Sequence, residues 1–329
     1  MDQSAVKELL LKIGLKVNER CTEALSSNTP NLNEEVKTSP ADIIYRIDIE
    51  AEEEIIKILE AEAGSFGGVE LIAEGIGEND ISRYPDKSGN CSLKIICDPI
   101  DGSRGLMYGK RAAFFLAAAG PVSAETLKDM TVSVMVELPV PKQTQFDVLC
   151  AVKGGGADFY RYNPDYSFTK IDLKPSTDKS VEGGFMSLAK FCYPGKDLIS
   201  RIEEKMLDQL FGNRKEEYLP VFDDQYISTG GQLYELICGH DRFTADFRAS
   251  MYRKFAEEGK SSGQVCHPYD MAGFLVAEEA GILITDAKGD PFNSPLTTDY
   301  NVDWVGYSNE EIKKQCEPIL LTLLKNEGL

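Results

Sequence analysis

Residues 96 to 105 read ICDPIDGSRG, two aspartates three positions apart around a proline, then a glycine and a hydroxyl. Asp98 and Asp101 close an apolar run, where two carboxylates cannot stay close and ionised cheaply without a cation. Hard oxygen donors suit Mg²⁺, which takes a few carboxylates together with waters and phosphate oxygens. Pro99 fixes the bend, and the Ile100 carbonyl offers a further oxygen. Gly102 permits an anion to approach the Gly102 and Ser103 amides. A solvated aspartate turn uses the same residues, since Asp-Pro and Asp-Gly pairs are common in turns. Taken alone, the stretch leaves both readings open.

Four further acids stand in suggestive places. Asp270, in HPYDMAG, precedes an apolar helical pattern and could equally be a helix cap. Glu74 ends the strand-like run of LIAEGIGEND, or is an exposed acid in a turn. Asp48 and Glu52 share a helix face at i, i+4, although Glu50, Glu53 and Glu54 beside them suggest a solvated acidic face.

Composition narrows the chemistry. The chain has 329 residues, 42% hydrophobic and 27% charged, enough for a large core in one domain or two packed subdomains. A net charge of -19 argues against a nucleic-acid polymer as partner, and requires phosphate chemistry here to bring its own cations. The eight cysteines form no C-x-x-C pair, so neither a zinc site nor a disulfide framework is indicated. His240 and His267 are too few to suggest a histidine metal centre. No apolar run approaches the ~20 residues of a membrane span, and the first residues lack a signal-peptide cleavage pattern. The expectation is a cytoplasmic protein with no membrane partner.

The elements that must position these acids follow from the pattern. MDQSAVKELLLKIGLKV reads as an amphipathic helix with Val6, Leu9, Leu10, Ile13 and Leu15 inward. A second helix is expected from about Asp48 to Gly64. VELIAEG, LKIICDP, RAAFFLAAAG, TVSVMVELPV and FDVLCAVKGGG read as strands, giving a helical layer and then a sheet. The second half alternates: strands in GGFMSLAKF, ILITDAKGDPF and DWVGYS, and helices in KDLISRIEEKMLDQLFG, GGQLYELICG, HPYDMAGFLVAEEAG and the segment opened by Ser308 or Asn309. Alternation of this kind implies a layered α/β architecture. Two closely packed subdomains are expected, residues 1–185 and 186–329.

In order, AEG, DPIDGS, STGG and HPYDMAG…EEAG…TDAKG resemble the signature set of the inositol monophosphatase-like family, from about Asp42 to Asn309. These are Mg²⁺-dependent, lithium-sensitive phosphatases that include fructose-1,6-bisphosphatases and 3'-nucleotidases. The resemblance implies a layered αβαβα sandwich, usually a homodimer. It implies that Glu74, Asp98, Asp101, Asp270 and the Ile100 carbonyl hold two or three Mg²⁺ ions, with Mn²⁺ as a substitute, and that Glu74 also counts among the catalytic residues. Gly102 and Ser103 would cradle the phosphate, and Asp48 with Ser103 would take the proton from the attacking water. Gly230 and Gly231 would approach the rest of the substrate. The implied substrate is a small phosphorylated metabolite, an inositol or sugar phosphate. A 3'-phosphoadenosine-type nucleotide, fructose 1,6-bisphosphate, or a metabolite-sensing role with little turnover are the alternatives.

The chain departs from that pattern in four places. Glu74-Gly75 replaces a pair of glutamates, with Glu78 or Asp80 as possible substitutes. Ser103 replaces a threonine, and Arg104-Gly105 follows where an asparagine-containing continuation is usual. Arg104, Lys110 and Arg111 could meet a second phosphate or an acidic substrate, or form a basic surface turn. Finally, residues 249–266 are an extra stretch, around which Arg242, Arg248, Arg253 and Lys254 could close over a phosphate or ribose or decorate a surface loop, the loop being the expectation. His267 could orient Asp270.

Overall fold

A computed structural model describes residues 2–27, 32–38, 43–212 and 220–329. The first half of the chain supplies the helices α1 (Gln3–Ser26) and α2 (Arg46–Glu62) and a short hairpin, β1 (Glu35–Thr38) with β2 (Ile43–Tyr45). It then runs through β3 (Val69–Ala73), β4 (Ile81–Tyr84), β5 (Leu93–Asp101), the one-turn helix α3 (Ser103–Met107), β6 (Ala113–Pro121), β7 (Val132–Leu138), β8 (Phe146–Val152), β9 (Ala157–Tyr162) and β10 (Phe168–Lys170). These strands form an eight-stranded sheet in the order β10-β9-β8-β7-β6-β5-β3-β4, with β3 and β5 parallel and the other neighbours antiparallel.

The second half continues with β11 (Gly184–Leu188), α4 (Lys196–Phe211), β12 (Val221–Phe222), α5 (Thr229–Ile237), β13 (Asp241–Asp246), α6 (Arg248–Glu257), α7 (Phe274–Glu279), β14 (Leu283–Thr285), β15 (Trp304–Tyr307) and α8 (Glu310–Asn326). Its five-stranded sheet has the order β12-β11-β13-β15-β14. The passage between sheets falls between Lys170 and Gly184, so the whole of β11 belongs to the second sheet.

Burial explains the layering. The expected apolar stripe of α1 packs with α2 against one face of the large sheet, and Leu9, Leu10 and Ile13 are almost fully buried there. Gly14 lets α1 come that close, since a Cβ at this position would lie 2.6 Å from Phe115. Strand β6 is apolar on both faces because both are covered: Phe115 and Ala117 meet α1 and α2, while Phe114 and Leu116 face α5 and α7. Those two helices also touch the second sheet. On its far side Ile202 of α4 and Leu320 of α8 join Phe243 and Tyr307 in a third cluster. Each large apolar side chain buried in this way contributes about 1.5–3 kcal/mol. The order of layers is α, β, α, β, α.

Most expected elements occupy their expected places. Asn309 opens α8 by accepting from the Glu311 and Ile312 amides at 2.9 and 3.0 Å, so it, rather than Ser308, is the cap. Two expectations change. The helix expected across HPYDMAGFLVAEEAG forms only at Phe274–Glu279, after a series of turns. The extra stretch begins with a helix, α6, rather than a surface loop. No described helix is long and apolar enough to cross a membrane.

Candidate active site

The end of β5 is where the sheet breaks its own period. Asp98 lies opposite Leu116 and Asp101 opposite Phe114, so three steps on β5 match two on β6. In a regular strand, residues three apart point to opposite faces. The extra residue of this bulge changes that parity and turns the two aspartates toward one site. Immediately afterwards Gly102 adopts φ +99°, and a Cβ there would sit 3.0 Å from Ser228, so the tight turn into α3 needs a glycine.

Asp98, Asp101 and Asp270 each present a carboxylate oxygen within 4.8 Å of the others. Burial, then Asp101, Asp270 and Glu74, holds the Asp98 carboxyl well above its ordinary range. Asp98 Oδ1 also accepts from the Ile100 amide at 3.0 Å, which shapes the loop around the Ile100 carbonyl. Asp101 accepts from Ser228 Oγ at 2.9 Å and from the Gly230 amide, tying the large sheet to the start of α5. Asp270 does not cap a helix. It accepts from the His267 amide at 2.6 Å, in a turn four positions before Phe274 opens α7. This all-oxygen donor set fits a hard divalent cation such as Mg²⁺.

Beside the acids, Ser103 Oγ lies 2.6 Å from Asp48 Oδ1 and 2.9 Å from the Ile100 carbonyl. One hydroxyl proton serves one acceptor at a time, and the shorter contact to a carboxylate is the stronger. With that proton directed to Asp48, the serine lone pairs are available to accept another. Asp48 Oδ2 is meanwhile fixed by the Tyr45 amide at 2.7 Å, at the start of α2.

Asp48, Glu74, Asp98, Ile100, Asp101, Gly102, Ser103, Arg104 and Asp270 line one cavity of about 120 Å³. Gly230 and Gly231 pack behind its wall, which is formed here by Ile227, Ser228 and Thr229. A Cβ on Gly230 would lie 3.0 Å from Asp101, and one on Gly231 would strike the Tyr226 ring at 2.6 Å. The two glycines therefore allow close packing behind the aspartates.

Several lining residues escaped the sequence reading. Glu52, assigned there to a solvated face, is buried in the cavity wall. Its i, i+4 spacing from Asp48 was the available signal. Arg248, expected on a surface loop, is 4% exposed and forks onto Asp246 with bonds of 2.9 and 2.6 Å. Arg242 is pinned to the Ser180 and Glu182 carbonyls and Lys254 to that of Glu327, while Arg253 is exposed. Tyr45 and Gln264 also line the cavity, and nothing in the local sequence marks them.

The substitutes considered for the missing glutamate lie elsewhere. Asp80 accepts from the Gly75 amide at 3.0 Å and from Thr298 at 2.8 Å, so it holds the turn after Glu74. Glu78 is exposed. Glu74 itself accepts from Tyr269 Oη at 3.1 Å. The His267 ring stacks on Tyr269 with centroids 5.3 Å apart, and burial followed by the charge of Arg248 lowers its pKa to about 4. It supports Asp270 through its backbone amide as a neutral residue. Arg111 pairs with Asp224 and stacks 4.7 Å over Tyr226, away from the cavity. Lys110 is exposed.

The layers and the acid-lined cavity define a five-layer αβαβα sandwich. More particularly, this is the fold of inositol monophosphatases and fructose-1,6-bisphosphatases. The extragenic suppressor protein SuhB from Bartonella henselae matches 96% of this chain and 98% of its own at a TM-score of 0.65 and 16% identity. An inositol monophosphatase-fructose 1,6 bisphosphatase matches with a TM-score of 0.64, 19% identity and coverage of 96% and 98%. The Leishmania major fructose-1,6-bisphosphatase matches with a TM-score of 0.64, 13% identity and coverage of 96% and 92%. No family model and no curated protein sequence matches the chain.

Proposed function

We propose that this protein is a divalent-metal-dependent phosphomonoesterase acting on a small phosphorylated metabolite, an inositol or sugar phosphate. The observation that carries the proposal is the meeting, in one cavity, of the Asp98, Asp101 and Asp270 carboxylates with the Ser103–Asp48 pair. The three aspartates, with Glu74 and the Ile100 carbonyl, would hold two or three Mg²⁺ ions. Ions held there supply Lewis acidity, which neutralises phosphoryl charge and acidifies the attacking water.

The chain's own residues do the rest. Gly102 and Ser103 offer amides to the phosphoryl oxygens, where charge is greatest. Asp48 keeps the Ser103 proton on its own side, so the serine oxygen accepts a hydrogen bond from water and orients it toward phosphorus. As the new P–O bond forms, the ester P–O bond breaks, and a water proton moves toward the Ser103–Asp48 pair. The departing alkoxide takes a proton from a second water, the pair gives its proton back to solvent, and an alcohol and inorganic phosphate leave.

The test is phosphate release from a panel of inositol, sugar and nucleotide phosphates, with Mg²⁺ and with EDTA, on the wild type and on Asp98→Asn and Asp270→Asn. Mg²⁺-dependent release that both substitutions abolish supports the reading. Release that survives EDTA or both substitutions overturns it, and binding without turnover replaces it by a sensing role. Inhibition by Li⁺ at tens of millimolar and a dimeric mass in solution belong to the same reading and are measured alongside.

A further inference from the structure

Arg104 is a cation of the site that makes no ion pair with another described residue. It follows Ser103 directly and lines the same cavity as the acids. Its Nε donates to Tyr45 Oη at 2.8 Å and its Nη1 to Gln264 Oε1 at 2.8 Å, and the guanidinium lies 5.5 Å from the centre of the Tyr45 ring. All of these partners are neutral. Among the described residues, Arg20, Arg46, Arg83, Arg111, Arg161, Arg201, Arg242 and Arg248 each form an ion pair with an acid. Arg104 forms none, and Arg253, the other described arginine without one, is exposed.

A half-buried arginine left without an acid in a chain of charge -19 needs a reason. A guanidinium has five N–H donors in a planar fork, and two of them account for the bonds Arg104 makes. The bonds to Tyr45 and Gln264 hold the fork still, and three donors remain for a partner. Planar, bidentate recognition of an oxyanion is what such a fork does best. On the phosphatase reading, the ester phosphate would be met by the metal ions and the Gly102–Ser103 turn, not by Arg104.

We propose that Arg104 is a specificity-determining residue which selects substrates bearing a second anionic group, phosphate or carboxylate, beyond the ester phosphate that is cleaved. This rests on the phosphatase reading and deepens it. Gln264 comes from the extra stretch 249–266, so that stretch acts as the support of the selecting side chain.

The experiment compares matched probes that differ by one anionic group: fructose 1,6-bisphosphate against fructose 1-phosphate, and 3-phosphoglycerate against glycerol 3-phosphate. Para-nitrophenyl phosphate with Mg²⁺ checks hydrolysis itself. The wild type is expected to favour the more anionic member of at least one pair, chiefly through KM. The responding pair tells phosphate from carboxylate. Loss of one charge-assisted contact amounts to about tenfold to hundredfold, so Arg104→Gln should reduce the preference by that factor and Arg104→Lys should keep part of it. Thermal melts confirm that both variants fold. Absence of preference in the wild type, or equal loss on both members in Arg104→Gln, makes Arg104 a strut between Tyr45 and Gln264 and overturns the inference while leaving the phosphatase reading intact. No Mg²⁺-dependent release from any probe removes that reading and the inference together.

Discussion

Two buried aspartates, Asp98 in the wall of the candidate site and Asp246 behind its Arg248, have opposite electrostatics. Asp246, at the end of β13, is fully buried and meets the guanidinium of Arg248 through two hydrogen bonds. Asp98, near the end of β5, is 9% exposed, and its strongest influences after burial are the acids Asp101, Asp270 and Glu74. Among the described residues Asp98 has no arginine or lysine within ion-pair distance. A chain that can supply a buried arginine to one aspartate has withheld it from the other. The first arrangement is complete within the protein; the second leaves crowded carboxylates that a proton or, on the proposed reading, a metal cation would neutralise.

Substitutions should separate the two. The largest expected effect is that of Asp98→Asn on turnover, a loss of about a thousandfold or more, roughly 4 kcal/mol of transition-state stabilisation. The folded protein should tolerate the change, because one of several crowded acids is removed. Initial rates and an unfolding curve, both measured without and with Mg²⁺, test this. A fall in stability without Mg²⁺ would place Asp98 in the same category as Asp246. Next comes Asp246→Asn, which strands Arg248 and should destabilise the protein by about 3 kcal/mol, read from denaturant unfolding. A neutral outcome would remove the contrast.

Mg²⁺ binding supplies a third measure. At a hundredfold excess over its dissociation constant it should add about 2.7 kcal/mol to wild-type stability. The same titration should leave Asp98→Asn almost unmoved while still stabilising Asp246→Asn relative to its own metal-free form.

The smallest effect concerns a third kind of buried acid. Burial pushes Glu137 of β7 up to about 7, partly offset by bonds from Gln143 and from the Asp147 amide. Since its pKa is higher in the folded chain, the folded state holds the proton more tightly. The Glu137 contribution is therefore fully present below the unfolded value near 4.5, falls as pH rises toward 7 and is constant above. The slope is about 1.4 kcal/mol per pH unit at most within that window. Glu137→Gln should flatten it, as followed by melting temperature against pH.

Much of the site could be read along the chain because its parts are local. Asp98, Ile100, Asp101, Gly102 and Ser103 are contiguous on one turn, and apolar strands before and after them reveal where a sheet edge must lie. Asp270 and Glu74 could be placed only through the family resemblance, since each in isolation reads as an ordinary cap or turn acid. Arg248 misled because the local sequence around it is polar and looks exposed. Its burial comes from Asp246, Phe191 and the Gln264 carbonyl, two of them distant in sequence. Glu52 misled for the complementary reason: three neighbouring acids, Glu50, Glu53 and Glu54, made its face look solvated, while it is buried in the cavity wall.

By itself the sequence determined the layers, because apolar periodicity of 3.6 or 2 residues is a local property that survives any packing. It also determined which residue types stand at the end of β5. Tertiary structure alone decided which way they point. A single extra residue in β5 relative to β6 turns Asp98 and Asp101 to the same side, and it exists only once the two strands pair. The neutral seat of Arg104, built from Tyr45 and from Gln264, 160 positions further along, was decided in the same way. Charge compensation is a statement about neighbours in space, and no spacing along the chain contains it.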